Sequence, residues 1–265
     1  MAKITSKVES RLLAGIKKFQ PIINNAKIKD INESDTVVII TDMLAEIFGY
    51  DKYSEITSEY SIKKTFCDIA IKINSKIKYL IEVKASGLTL KDDHIKQCLD
   101  YGANEGVDWV ILTNGSNWKI FKIMFGKPIT QELIYEFDFT NLNSKSEDDV
   151  EKIYYLCKEG IDKSSLEEYY LQKQTINKYF FGQLILTEGV IDCLRKTIKK
   201  ISPDIKTDND DIYKILLHEV IKREVMEGEK SEEAKKKINK WLKSLTKKEE
   251  SKNVSKISVE QLPHT

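Results

Sequence analysis

Asp68, Glu82-Val83-Lys84, Gln97 and Tyr101 are the residues of this chain whose types and order suggest chemistry. Glu82 and Lys84 stand two apart on an apolar stretch that reads as a strand, so they point to one face of a sheet. Asp68 lies on the preceding strand of the same hairpin and can reach the same place. Two carboxylates and an ammonium in otherwise apolar strands are costly unless they share a task. The task that fits is holding a hard divalent cation and activating water against a phosphodiester. Asp68 and Glu82 would then be ligands, the backbone carbonyl of Val83 a third, and Lys84 would orient the water or stabilise developing negative charge. A Glu-x-Lys pair alone is also an ordinary solvated edge-strand pair; the apolar flanks and the interruption by Asp68 are what favour the catalytic reading.

The elements that must position these groups follow from periodicity. Residues 65–73 read as a strand, 74–76 as a tight turn and 77–85 as the returning strand. A helix over 91–104 puts Gln97 and Tyr101 on one face, four apart. They would contact a phosphate or support Lys84, or else pack the ring on the sheet with the amide at the rim. Further strands are expected at 56–60, 108–114, 118–125 and 131–139. Upstream, a short basic amphipathic helix over 7–20 should stop before Pro21, and a second should run from Asn32 to Phe48 with Gly49 as its stop. Its apolar stripe is Val37, Ile40, Leu44 and Ile47, and Glu33 falls on that stripe while Asp42 and Glu46 project away. Glu33 is therefore either a further acid at the metal site or a residue favouring the helix N-terminus through the macrodipole.

Beyond residue 141 the pattern turns helical, with segments expected at 149–159, 164–178, 182–199, 208–226 and 230–245, broken near Gly160, Gly182, Pro203 and Gly228. The expected organisation is an α/β domain over 1–140, a helical partner or oligomerisation region over 141–246 and a disordered tail over 247–265. The stripe Leu184, Leu186, Val190, Leu194 and Ile198 would form a homodimer or helical-partner contact within 149–245, or the core of a helical subdomain.

Lys+Arg 43 against Asp+Glu 42 leaves no global basic field, although a local basic groove is compatible with that balance. Lys63, Lys64, Lys72 and Lys78 would line a phosphate track or form the solvated face of the hairpin. Cys67, Cys98, Cys157 and Cys193 are widely spaced and suggest neither a zinc knuckle nor a disulfide framework. Without an apolar leader or membrane-length run, a cytoplasmic protein that meets no membrane is expected. No GxxxxGK[ST] occurs, so no ATP is expected to bind this chain. His94, His218 and His264 have no partners at metal-ligand spacing.

Over residues 31–125 the ordered series resembles the PD-(D/E)xK nuclease superfamily, and more narrowly the N-terminal nuclease region of type I restriction enzyme R subunits. It is carried by Asn32-Glu33, the 44–51 stretch, Cys67-Asp68, the 81–85 stretch, Gln97 to Tyr101, the 109–115 stretch and the 118–121 stretch. The resemblance implies an α/β restriction-endonuclease-like core, a mixed central sheet flanked by helices, here with a C-terminal all-helical region. It implies Asp68, Glu82 and Lys84 as the catalytic set, Glu33 as the helix acid, Gln97 and Tyr101 as a QxxxY motif, Mg²⁺ (with Mn²⁺ substituting) as cofactor and DNA as substrate. Cys67 stands where the superfamily name has Pro, a position that varies. The expected activity is DNA phosphodiester hydrolysis in restriction, defence or DNA processing, endonucleolytic rather than exonucleolytic. Alternatives are a non-catalytic nucleic-acid-binding module and a nuclease subunit that depends on a separate ATP-driven motor.

Overall fold

The computed structural model describes residues 4–62 and 65–257, the side chains of 61, 62, 65, 66, 92, 97 and 245–257 excepted. Two compact units emerge, Met1–Glu168 and Tyr169–Thr265.

The first unit opens with α1 (Ser6–Ile28) and α2 (Glu33–Glu46). Three strands follow, β1 (Ile56–Ile62), β2 (Thr65–Ile73) and β3 (Lys76–Val83). A 3-10 turn (Asp92–Ile95) leads into α3 (Lys96–Glu105), then β4 (Trp109–Thr113), β5 (Asn117–Met124) and β6 (Thr130–Asp138). The strands form one six-stranded sheet in sequence order, antiparallel throughout except for the parallel pair β3–β4 that α3 connects. A mixed sheet flanked by helices is the architecture that the sequence suggests.

Both faces of the sheet centre are covered, which is why β4 and the second half of β3 are buried and carry few polar residues. Ala70, Leu80, Val110, Leu112 and Phe121 face α3 and pack with Leu90, Ile95, Cys98 and Tyr101. Ile69, Ile81, Ile111 and Ile120 alternate to the opposite face. Leu12, Ile16, Phe19 and Ile23 of α1 and Ile40, Met43 and Leu44 of α2 are buried with them.

Asn74 and Ser75, with φ of 50° and 62°, close the β2–β3 hairpin where the sequence places a tight turn. The first helix departs from expectation, because Pro21 lies inside α1 instead of ending it. Pro21 is exposed, and the buried stripe Ile16, Phe19, Ile23 and Ala26 runs past it. Burial of that stripe outweighs the one backbone hydrogen bond that proline forfeits.

The contact division after Glu168 lies beyond the domain boundary expected after residue 140. The 3-10 turn Phe139–Asn141, α4 (Glu147–Tyr154) and α5 (Lys158–Asp162) are tied to the sheet unit. Buried Tyr79 donates to the carbonyl of Tyr155 (3.2 Å), Tyr135 to that of Lys152 (3.0 Å) and Tyr50 to that of Leu156. Arg11 holds Glu159 through its two terminal guanidinium nitrogens, at 2.7 and 2.6 Å.

After the helix α6 (Ser165–Thr175), within which the division falls, come α7 (Lys178–Ile185), α8 (Glu188–Ile201), α9 (Asn209–Ile215), a π-turn (Leu216–Val220), α10 (Arg223–Met226) and α11 (Glu229–Ile257). Expected helix 182–199 is thus split at Leu186 and Thr187, and 208–226 is interrupted where Ile221 turns extended. Gly160 and Gly182, expected as breaks, sit inside helices at close approaches. A Cβ on Gly160 would lie 2.3 Å from the Tyr154 carbonyl oxygen, and one on Gly182 would lie 2.6 Å from Val225 Cγ1. Of the tail expected over 247–265, residues through Ile257 continue α11, and 258–265 lie outside the described residues. No described helix is long and apolar enough to cross a membrane.

Candidate active site

The β2–β3 ladder stops at Ile69 and Ile81. Beyond it, the backbone N–H of Val83 donates to Asp68 Oδ2 at 2.7 Å. A side chain thus takes an acceptor position that a continuing ladder would supply, and the strands part at the carboxylate. On the other side, β1 pairs with β2 at Ser58–Ile69 and Tyr60–Cys67, while Glu59 between them has φ 48°. Regular pairing is therefore interrupted on both sides of Asp68.

Glu82 shares the sheet face of Leu80 and is 6 % exposed. Its Oε1 accepts from Lys84 Nζ at 2.7 Å, and the same ammonium lies 3.3 Å from Glu33 Oε2. Lys84 is placed by its backbone, whose N–H donates to the Thr113 carbonyl at 2.8 Å and extends the β3–β4 pairing by one residue. Ser86 Oγ then donates to the Ala26 carbonyl at 2.9 Å, fastening the strand exit to the end of α1. Glu33 reaches the site because Asn32 caps α2, its Oδ1 accepting from the Asp35 N–H at 2.8 Å. Asp42 and Glu46 pair elsewhere, with Lys52 and Lys18.

The electrostatics follow from three acids around one base. Burial pushes Asp68 up to about 6, with help from Glu82 and Glu33; the Val83 hydrogen bond and Lys84 oppose it. Burial pulls Lys84 down, but the hydrogen bond to Glu82 and the fields of Glu82, Glu33 and Asp68 more than compensate, so it stays an ammonium. A half-buried cluster in which carboxylates outnumber their base, offering only oxygen donors, suits a hard divalent cation. Asp68, Glu82 and Glu33 are the residues that would hold it.

A second set of ligand-capable atoms meets Glu82 from its other oxygen. Cys98 Sγ donates to Glu82 Oε2 at 3.4 Å and lies 3.1 Å from Cys67 Sγ. Among the described residues, Cys67, Glu82 and Cys98 bring three such atoms within 4.8 Å of one another, whereas the Asp68, Glu82 and Glu33 set does not. The hydrogen bond with Cys67, burial and the nearby negative groups hold the Cys98 thiol well above its ordinary value. Sequence spacing gave no sign of this pair, since the two cysteines are 31 residues apart and meet only because α3 crosses the β2–β3 hairpin.

Tyr101 is buried in the cluster between α3 and the sheet, with its ring packed as one of the two sequence readings has it. The Gln97 side chain lies outside the described residues, as do Lys63, Lys64 and His264. His94 closes the turn before α3, its Nδ1 accepting from the Lys91 N–H at 3.2 Å. Lys72 lies over the Tyr60 ring at 4.2 Å. With Asn74, Ser75 and Lys76 it lines an open cavity of about 810 Å³ at the turn end of the hairpin, away from Asp68 and Glu82.

No curated protein and no solved structure compared with the chain matches it. Residues 39–135, which hold Asp68, Glu82, Lys84, Gln97 and Tyr101 together with the sheet from β1 nearly to the end of β6, match the family described as the type I restriction enzyme R protein N terminus, the family whose nuclease region the order of these residues resembles.

Proposed function

We propose that this chain is a metal-dependent deoxyribonuclease of the type I restriction R-subunit kind, cutting DNA endonucleolytically with Mg²⁺ or Mn²⁺. The observation that carries the reading is Lys84 Nζ poised 2.7 Å from Glu82 and 3.3 Å from Glu33, beside Asp68, at the point where the β2–β3 ladder opens. The family match over residues 39–135 supports it.

Asp68, Glu82 and Glu33, with the Val83 carbonyl, would hold the cation. Held there, a divalent cation would supply charge neutralisation at a scissile phosphate and would favour in-line attack by water. Lys84 keeps its proton in this field and donates hydrogen bonds to the attacking water or to a phosphate oxygen. Its two carboxylate partners fix the ammonium before substrate arrives, which lowers the reorganisation needed for reaction. Tyr101 acts as a positioning residue that seats α3, and Gln97, by the sequence pattern alone, would contact a phosphate or support Lys84. The homodimer or helical partner expected through residues 149–245 belongs to the same reading; exposed Leu171, Ile176 and Phe181 support it.

The test is plasmid cleavage with Mg²⁺ or Mn²⁺ by the wild type, Asp68→Ala and Lys84→Ala, with thermal melts to verify folding. Each variant should lose at least about 10²–10³-fold in rate, the scale for deleting one preorganised charge-stabilising group. DNA binding without cleavage, unchanged in both variants, overturns the reading in favour of a binding module. Cleavage only on addition of an ATP-driven partner makes the chain a subunit of a larger machine.

A further inference from the structure

From the Cys67, Cys98 and Glu82 cluster, we infer that the chain has a second cation site, for a thiophilic divalent ion such as zinc, built from two thiolates and Glu82 Oε2. It shares Glu82 with the all-oxygen site around Asp68 and takes its other donors from the two cysteines. Its donors come from three elements, β2, β3 and α3, so it exists only in the folded chain.

The geometry is close to what such an ion requires. Zinc takes sulfur at about 2.3 Å and carboxylate oxygen at about 2.0–2.2 Å, which sets tetrahedral ligand atoms roughly 3.5–3.8 Å apart. Cys67 and Cys98 Sγ stand 3.1 Å apart, and Cys98 Sγ stands 3.4 Å from Glu82 Oε2. The sulfur pair needs to open by roughly 0.4–0.7 Å and the sulfur–oxygen pair by roughly 0.1–0.4 Å.

The surroundings fit as well. Cys67 Sγ contacts the carbonyls of Ile69 (3.5 Å) and Ile81 (3.4 Å). These are weak thiol contacts, and a metal–sulfur bond more than replaces them. Lys84 already holds the other oxygen of Glu82 at 2.7 Å, so it orients the carboxylate as an outer-shell partner. With two thiolates, Glu82, the divalent ion and Lys84, the charges balance. As each sulfur–metal bond forms, the thiol proton passes to solvent. Glu82 is the ligand that keeps some exposure, so the ion enters from its side; the fourth position is left for water.

Occupancy would take Glu82 away from the oxygen site, making the thiophilic ion an inhibitor of cleavage. That consequence rests on the nuclease reading; binding does not.

The experiment is a zinc titration of the reduced full-length chain against a chromophoric chelator, followed by zinc K-edge absorption spectroscopy of the one-equivalent complex. Expected are one tight equivalent and two sulfurs per zinc at about 2.3 Å. Cys98→Ser should weaken binding beyond the roughly 10–100-fold that an outer-shell change costs. Cys193→Ser, at an exposed cysteine, should leave it unchanged. No tight equivalent, fewer than two sulfurs in the wild-type spectrum, or unaltered affinity in a folded Cys98→Ser overturns the proposal. The spectrum decides even where that variant fails to fold. Zinc binding with two sulfurs in a chain that does not cut DNA with Mg²⁺ would sink the nuclease reading and leave this one standing; the converse pair of results does the opposite.

Discussion

In the unit Met1–Glu168, large apolar side chains such as Leu12, Ile40, Ile69, Leu80 and Leu112 are sealed from solvent, and helices cover both faces of the sheet. In Tyr169–Thr265 each of the helices α7 to α10 buries a single residue, and Ile176, Ile201, Val220 and Trp241 are more than half exposed. A sheet offers two broad surfaces on which neighbouring strands share burial, whereas a short helix offers one stripe. The candidate catalytic groups stand on the stiff unit, where backbone pairing to β4 and a capped α2 fix Lys84 and Glu33 to within a hydrogen bond. Rigid elements hold such a constellation better than loops do.

The sharpest way to break this comparison is to move the boundary. A chain ending at residue 140 keeps every strand but removes the carbonyls of Lys152, Tyr155 and Leu156 from the buried hydroxyls of Tyr135, Tyr79 and Tyr50. Those hydroxyls would then meet water, and the apolar surface that buried Val150, Ile153, Tyr154 and Leu156 cover would be exposed at a cost of about 25 cal/mol per Å². Residues 1–168 should show a cooperative melt by circular dichroism, and 1–140 should aggregate or melt without cooperativity. Equal melts would place the end of the folding unit at the end of the sheet.

A smaller effect separates the two interiors. Trp118 is 1 % exposed, donates to the Gly115 carbonyl at 3.0 Å and stacks on Phe137 at a centroid distance of 6.0 Å. Trp118→Ala should cost about 3–5 kcal/mol, read as a lower urea midpoint. Leu194 lies on the apolar stripe of α8 but is 36 % exposed, so Leu194→Ala should cost no more than about 1 kcal/mol. Comparable losses would mean that the second unit is as tightly packed as the first.

What the sequence made legible divides along physical lines. The β2–β3 hairpin and its turn at Asn74 and Ser75 follow from period-2 spacing and turn residues, which are local signals, whereas helical spacing left Glu33 with two readings. The continuation of α1 past Pro21 was hidden because the proline's cost is local, while the burial of Ile23 and Ala26 that offsets it is tertiary. Gly160 and Gly182 read as breaks because space beside a glycine is invisible until its neighbour is known. The meeting of Cys67 with Cys98 and Glu82 depends on a crossover that no spacing rule encodes. Chemistry carried on one hairpin was readable, and chemistry assembled across elements was not.

The smallest effect tests the seam inside the first unit by pH. Burial pushes Glu159 up, but the hydrogen bonds and charge of Arg11 push it down further, so its folded value lies below the ordinary 4.5. A carboxylate depressed on folding contributes stability that is complete above its unfolded value and fades as pH falls through the folded one. The pair is about one-third exposed, so the contribution is at most about 1 kcal/mol after solvent screening. Arg11→Lys keeps the charge but loses the two-pronged grip on Glu159 and the third bond to the Ile47 carbonyl at 2.9 Å. Urea midpoints measured from pH 7 down to pH 3 should show wild type and Arg11→Lys converging as Glu159 protonates, the remaining gap being the Ile47 bond. A gap that stays constant over that range would show that the Glu159 carboxylate contributes nothing to holding α5 against α1.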